Sequence, residues 1–276
     1  MRQLLRMWKL FAGMDLLWVL RGPRDAAMYV LSDAVLIVAS ISTTFLLAVR
    51  FDGIGHWDRA QILFMLGYAM FVNSLLDTLF GYNVKMISRR IGRGQLDHML
   101  VQPQPLWRMF LTEGFTPFGQ PFGLIISIAM LSWTSSLLDR PFSVVWLGIL
   151  LLNLFASAAI VLALQVAWGA IAFWAPRSAE EINSATNRVV GSLGPLPLDG
   201  VNRFLLGGLL TVIPVGFTAW LPARSIADVS PLFPGGLVAP LAAPLFAAAA
   251  YFVFRKGLQH YARVGSQRYS NFGHRR

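Results

Sequence analysis

Residues 142–174 read FSVVWLGILLLNLFASAAIVLALQVAWGAIAFW, a run without a single Asp, Glu, Lys or Arg. A helix needs about 20 mostly apolar residues to cross the hydrocarbon of a bilayer, and this run exceeds that length. Runs of the same character recur at 26–49, 61–84, 111–133 and 235–254, and a sixth lies between 180 and 223. Over the whole chain of 276 residues, 56% are hydrophobic and only 13% charged, against roughly a quarter charged in a soluble domain. The sequence therefore predicts an all-α, polytopic membrane protein with six transmembrane helices, forming a single domain over 1–276. Absence of cysteine excludes a disulfide framework, a thiolate metal site and cysteine-based catalysis.

With six crossings both termini share a side, and the basic residues say which. Nineteen of the 23 Lys and Arg fall in one set of alternating segments: the N-terminal arm, the loop at 85–108, the segment at 175–203 and the basic tail at 255–276. The other set holds only Arg50, Arg59, Arg140 and Arg224. Basic segments stay cytoplasmic during insertion, so both termini are expected in the cytoplasm and the protein in the plasma (inner) membrane. Topology and anionic lipid account for most of the net charge of +10, which argues against a nucleic-acid partner.

Residues 2–22 form a distinct arm. Arg2, Arg6 and Lys9 share one helical face, while Leu4, Leu5, Trp8 and Phe11 occupy another, the pattern of a helix lying in the membrane interface. Charges persist through residues 2–21 and no small-residue cleavage pattern follows, so the arm is expected to be retained. Gly22-Pro23 breaks it before the first span.

The stretch 180–250 is the least regular, holding Pro195, Pro197, Pro214, Pro222, Pro231, Pro234, Pro240 and Pro244, so continuous straight helices are not expected there. Hydropathy alone makes 204–223 the fifth span. The alternative is a weaker, polar span at 180–197 with 204–223 folded back as a re-entrant hairpin, which requires protein to cover its unpaired backbone groups.

Familiar catalytic patterns are missing. None of Lys9, Lys85 and Lys256 follows a glycine, so no phosphate-binding loop exists, and His56, His98, His260 and His274 form no His-Glu-x-x-His pair. No Gly-x-Ser-x-Gly elbow occurs. Two intramembrane acids, Asp33 and Asp77, could hold a proton, an ion or a cationic substrate; their nearness to the cytoplasmic helix ends also suits pairing with cations such as Lys85 and Arg89. A secondary transporter built on them would be expected to show matching broken helices in its two halves, and proline and glycine cluster in only one place. Gly119-x-x-x-Gly123 and Ala159, Ala163, Ala167 have the small-residue spacing of close helix packing, expected mainly within the chain.

The loop at 85–108 carries the most information. It contains Arg93-Gly94-Gln95-Leu96-Asp97-His98-Met99-Leu100-Val101-Gln102-Pro103. Leu96, Met99 and Leu100 stand at i, i+3 and i+4, so a short helix between Gly94 and Pro103 is expected to display an apolar ridge suited to a groove in a soluble partner. Asp97 could cap this helix or pair with Arg93.

Gly94-x-Leu96-Asp97-x-x-Leu100-x-x-Pro103, after a basic stretch and between the second and third spans, resembles the permeases of type 2 ATP-binding cassette (ABC) exporters. That resemblance implies that the arm is an interfacial helix and that Arg93, Gly94, Leu96, Asp97, Met99, Leu100 and Pro103 belong to a cytoplasmic coupling helix docking on a separate ATPase. It implies a second permease copy or a homologous permease as partner, re-entrant helices before the last span, and no catalytic residue or cofactor on this chain, ATP being bound and hydrolysed on the partner. On this view Leu96→Asp or Leu100→Asp would uncouple transport without disturbing insertion. A proton- or ion-coupled secondary transporter using Asp33 and Asp77, and a membrane scaffold, are the alternatives.

Overall fold

Short segments rich in glycine and proline separate the helices of this chain, and each break has a local cause. The computed structural model describes residues 2–51, 53–118, 121–138, 143–227 and 236–265. Helix α1 (Arg2–Arg21) ends at Gly22, and α2 (Pro23–Phe51) begins on proline, whose fixed φ and missing N–H suit a first helical position. A two-residue hairpin follows, β1 (Gly53–Ile54) antiparallel to β2 (Trp57–Asp58). Helix α3 (Arg59–Phe80) opens with a reciprocal cap: the Gln61 backbone N–H donates to Asp58 Oδ1 at 2.8 Å, and the Asp58 N–H donates to Gln61 Oε1 at 3.0 Å. It stops at Gly81, whose φ of +49° is the left-handed region.

Next come α4 (Tyr82–Lys85), α5 (Ile87–Gly92), α6 (Gln95–Leu100), α7 (Leu106–Thr112) and α8 (Phe122–Ser135). Helix α9 (Val144–Ala170) runs into a 3₁₀ turn over Ile171–Phe173. It is followed by α10 (Pro176–Leu193), α11 (Arg203–Thr211), α12 (Trp220–Ile226) and α13 (Val238–Val264). Among the described residues four helices are long and apolar enough to cross a membrane, α2, α3, α9 with its 3₁₀ extension, and α13; a bent pair within 203–226 would make a fifth. Among the described residues the protein is all-α apart from the small hairpin.

Two expected spans take a different form. In place of one helix over 111–133, α7 ends before Gly114 and α8 has 14 residues, about 21 Å of helix, short of the roughly 30 Å hydrocarbon. Residues 113–118 lie against the end of α3, with the Thr116 N–H bonded to the Thr78 carbonyl at 3.1 Å, and Pro121 precedes the restart. Residues 204–223 do not form a straight span: α11 and the 215–226 segment are bent by 70° around Pro214, which can donate no backbone hydrogen bond.

Small residues make the tight helix contacts. On α3 and α8, a Cβ on Gly67 would meet Met130 at 3.3 Å, and one on Gly123 would meet Ser74 Oγ at 2.4 Å. The pairings 67 with 130 and 74 with 123 run in opposite directions, so the two helices are antiparallel and Gly123 serves packing inside the chain. Gly119 lies outside the described residues. Helix α13 packs along α9, the most extensive helix pair, and Ala163 of α9 is buried. The main core centres on α3 and α9, and a second cluster sits beneath the 87–110 loop, built from Ile87, Ile91, Leu96, Met109, Phe173 and Tyr261 among others.

Candidate functional site: a buttressed loop, a far-end cluster and the groove between them

The 85–108 loop folds as three short helices stacked on the ends of longer ones. Gly94, with φ of +73°, turns the chain between α5 and α6, a conformation that costs a side-chain-bearing residue more than glycine. Helix α6 stops at Leu100, ahead of Pro103 and the exposed 101–105 stretch. Its apolar ridge does not point outward as expected. Leu96 is 0% exposed and Met99 5%, both inside the second cluster, whereas Leu100 is 46% exposed and Val101 83%. The reason is that α6 must cover the ends of α9 and α13, so the helix face richest in apolar atoms is consumed within the chain. Arg93, Gln95, His98, Leu100, Val101, Gln102 and Pro103 form the outward face.

Polar ties fix this loop to the long helices. Tyr261 of α13 donates a hydrogen bond from its hydroxyl to Asp97 Oδ1. Arg89 pairs with Glu180 of α10 at 2.7 Å, and Asn183 Nδ2–H donates to the Lys85 carbonyl at 2.7 Å and to Ser88 Oγ at 3.1 Å. Arg90 pairs with Glu113 at 3.0 Å and donates to Asn83 Oδ1. Helix α1 is attached through α7: Trp8 Nε1–H donates to the Leu111 carbonyl at 2.8 Å and its ring stacks on Phe115 at 5.6 Å. Leu5, Leu10, Met14, Leu17 and Leu20 of α1 remain exposed, as an interfacial helix requires.

At the opposite end of the bundle, Asp199 gathers three side chains from β2 and α12. Trp57 Nε1–H and Trp220 Nε1–H both donate to its Oδ2, at 2.5 Å and 2.9 Å, and Arg224 Nη1 lies 3.2 Å from Oδ1. The Arg224 guanidinium also sits over the Trp220 ring at 5.4 Å. Residues 199 and 224, on either side of the bend at Pro214, therefore meet at one end of the molecule, beside the 53–58 hairpin. Helix α10 starts at the 85–89 end and leads to this cluster, and its 18 residues span about 27 Å.

Between the two ends lies a groove of about 590 Å³ walled by α2, α3, α9 and α10. Its lining includes Asn73, Asp77, Lys85, Gln165, Asn187 and Arg188. Of the polar residues that make 180–197 unusual for a lipid-facing helix, Ser184, Asn187 and Arg188 border this cavity, while Glu180 and Asn183 meet the 85–89 stretch. Asp77 forms an ion pair with Lys85, while Asp33 is half-buried on α2 and does not line the groove. Asp33 nevertheless lies near enough to Asp77 for their two charges to interact. Among the described residues no group of three or more His, Asp or Glu could hold a metal ion.

Sequence reasoning did not find Tyr261, Val101 or the Trp57–Asp199–Trp220–Arg224 cluster. The Asp-x-x-Gln signature at 58–61 was readable as a helix start; the others depend on contacts between distant segments.

The described residues thus form a helical bundle with several membrane-length helices, a buttressed polar loop and a groove between them. Residues 34–265 match the model of the ABC-2 family transporter proteins, and the chain belongs to that family, as a permease of an ABC transporter. No curated protein and no solved structure matches it.

Proposed function

We propose that this chain is the transmembrane subunit of an ATP-driven exporter. Two permeases, identical or homologous, line the pathway, and a separate cytoplasmic ABC ATPase docks on each. The chain itself carries no catalytic residue and no cofactor; ATP binds the partner. The observation that carries this reading is the buttressing of α6: Leu96 and Met99 are buried in the cluster that joins the 87–110 loop to residues 170–173 and Tyr261, and Asp97 is bonded to Tyr261 of α13, so a push on the outward Leu100–Val101 corner is passed on to the long helices rather than absorbed by a floppy loop. A bistable permease needs such a rigid lever. Affinity purification of the tagged chain in mild detergent tests it. A co-purifying ATPase with nucleotide-dependent activity is expected; isolation of the chain alone, with flux independent of ATP, would favour the secondary-transport reading. The pairing of Asp77 with Lys85 gives that acid a structural partner and weighs against that alternative.

The membrane arrangement follows from the same reading. Helices α2, α3, α9, α10 and α13 and the broken segment 111–135 that ends in α8 are the six spans, both termini face the cytoplasm of the plasma (inner) membrane, and α11–α12 is a re-entrant pair entering from the outer side. The contact of Asp199 with Arg224 and Trp57 supports this, since a straight span over 204–223 would separate 199 from 224 by the bilayer. Arg203 and Arg224 then lie outside and Arg188 within a span, and the 85–108 loop, the arm and the tail still keep the basic excess inside.

Because the chain has no cysteine, single introduced cysteines report topology directly. Gly200→Cys and Leu237→Cys should both react with a membrane-impermeant maleimide in intact cells, and Val101→Cys only after lysis. If Gly200→Cys reacts only after lysis while Leu237→Cys reacts in intact cells, 204–223 is a full span and the re-entrant arrangement is wrong.

A further inference from the structure

The groove is chemically graded along its length. Toward the 85–108 end it carries Asp77, Lys85 and Asn187, and toward the opposite end Ile41 and Leu66. Arg188 stands between these zones, just over one helical turn along α10 from Asn183, whose side chain bonds the Lys85 carbonyl, and so about 7.5 Å from the loop contact. The Asp77 charge is balanced by Lys85. Arg188 is exposed to the groove, and among the described residues no ion pair compensates it. A guanidinium held at membrane depth is costly unless something anionic meets it, and such residues mark substrate paths. Its planar fork suits a carboxylate, sulfonate or phosphate, which it can hold by two parallel hydrogen bonds.

We propose that Arg188 is the headgroup contact for an anionic amphipathic cargo, whose apolar part lies against Ile41, Leu66 and Met70 on the α2 and α3 walls. This rests on the exporter reading, in which α10 crosses the membrane, and it names the substrate class of that groove. The polar zone faces the loop end, so the cargo enters head-first contacts from the cytoplasmic side and leaves along the apolar zone. A neutral molecule of the same shape would gain the apolar contacts and leave Arg188 unmatched.

The test uses the full-length chain in phosphatidylcholine nanodiscs and three probes of equal length: dansyl-undecanoate, its methyl ester, and a trimethylammonium counterpart. Binding is read by dansyl fluorescence and needs no ATPase, so failure of the exporter reading would appear in co-purification and not here. The carboxylate is expected to bind about tenfold more tightly than the ester, as one charge-assisted contact provides. Arg188→Gln should bring that ratio close to one, and Arg188→Lys should keep most of it, which separates charge recognition from misfolding. Competition by added phosphatidylglycerol would identify a lipid as the source of the headgroup; its absence would point to a free amphiphile. Equal affinity for all three probes, preference for the cation, or a carboxylate preference that survives Arg188→Gln would overturn the proposal. So would a shift from dimer to monomer in Arg188→Gln with the preference intact, since Arg188 would then be a subunit contact.

Discussion

Leu96→Asp is expected to destroy the loop end of the molecule, while Val101→Asp, five residues on, leaves the fold intact and weakens ATPase docking. Leu96 is fully buried, and removing it from water contributes about 2–3 kcal/mol. An aspartate there would also be an unpaired charge among Ile91, Met109 and Phe173, bringing the loss to more than about 4 kcal/mol. Size-exclusion profiles and thermal stability in detergent should show Leu96→Asp aggregated or poorly expressed. Val101→Asp should run as wild type yet recover about tenfold less ATPase on co-purification, the loss expected of a central docking contact. This replaces the expectation that a charge at Leu96 uncouples without harming the fold. A well-folded Leu96→Asp that fails to bind the ATPase would mean that Leu96 turns outward in the assembled transporter. Normal co-purification by Val101→Asp would remove the exposed corner from the interface.

Gly114→Ala is expected to destabilise the protein by more than about 3 kcal/mol, a large effect for one methyl group. A Cβ at Gly114 would lie 1.8 Å from the Phe80 carbonyl oxygen and 2.2 Å from its carbon, both backbone atoms at the end of α3. Neither can move as a side-chain tip could. The opposing residue, Gly81, is itself tight, with its virtual Cβ 3.0 Å from the Gly114 oxygen and a φ of +49°. This glycine pair lets the chain after α7 pack directly on the end of α3, which fixes the angle at which the loop leaves the bundle. Gly148→Ala is the control, because nothing lies within 4 Å of its added methyl. A thermal-unfolding comparison in detergent decides it: equal midpoints for the two variants would show that the contact relaxes freely.

These outcomes bear on how the chain can be read. The helical, membrane-embedded class was evident from residues 142–174 alone, and the boundaries of α2, α3 and α9 follow the apolar runs to within about four residues, whereas α13 continues to Val264, past the end of the run at 235–254. Gly94 and Pro103 were visible as the punctuation around α6. The third span was overestimated because hydropathy averages over Gly114, Pro117 and Pro121, where the backbone cannot stay helical. Periodicity grouped Leu96, Met99 and Leu100 on one side of α6, but it does not tell what that side meets: Leu96 and Met99 are buried within the chain and Leu100 is exposed.

What the sequence determined by itself is whatever depends on local sums: transfer of apolar side chains from water to lipid, the distribution of basic residues between alternating loops, and the breaks imposed by proline and glycine. What only the tertiary structure decided is whatever depends on partners far apart in the chain. Asp97 meets Tyr261 across 164 positions and Trp57 meets Asp199 across 142. No window of sequence contains both members of either pair. Burial of Leu96, the meeting of Asp199 with Arg224 and the opening of Arg188 into a groove all follow from how helices pack, since dense packing lets one face of a helix be covered and leaves its opposite free.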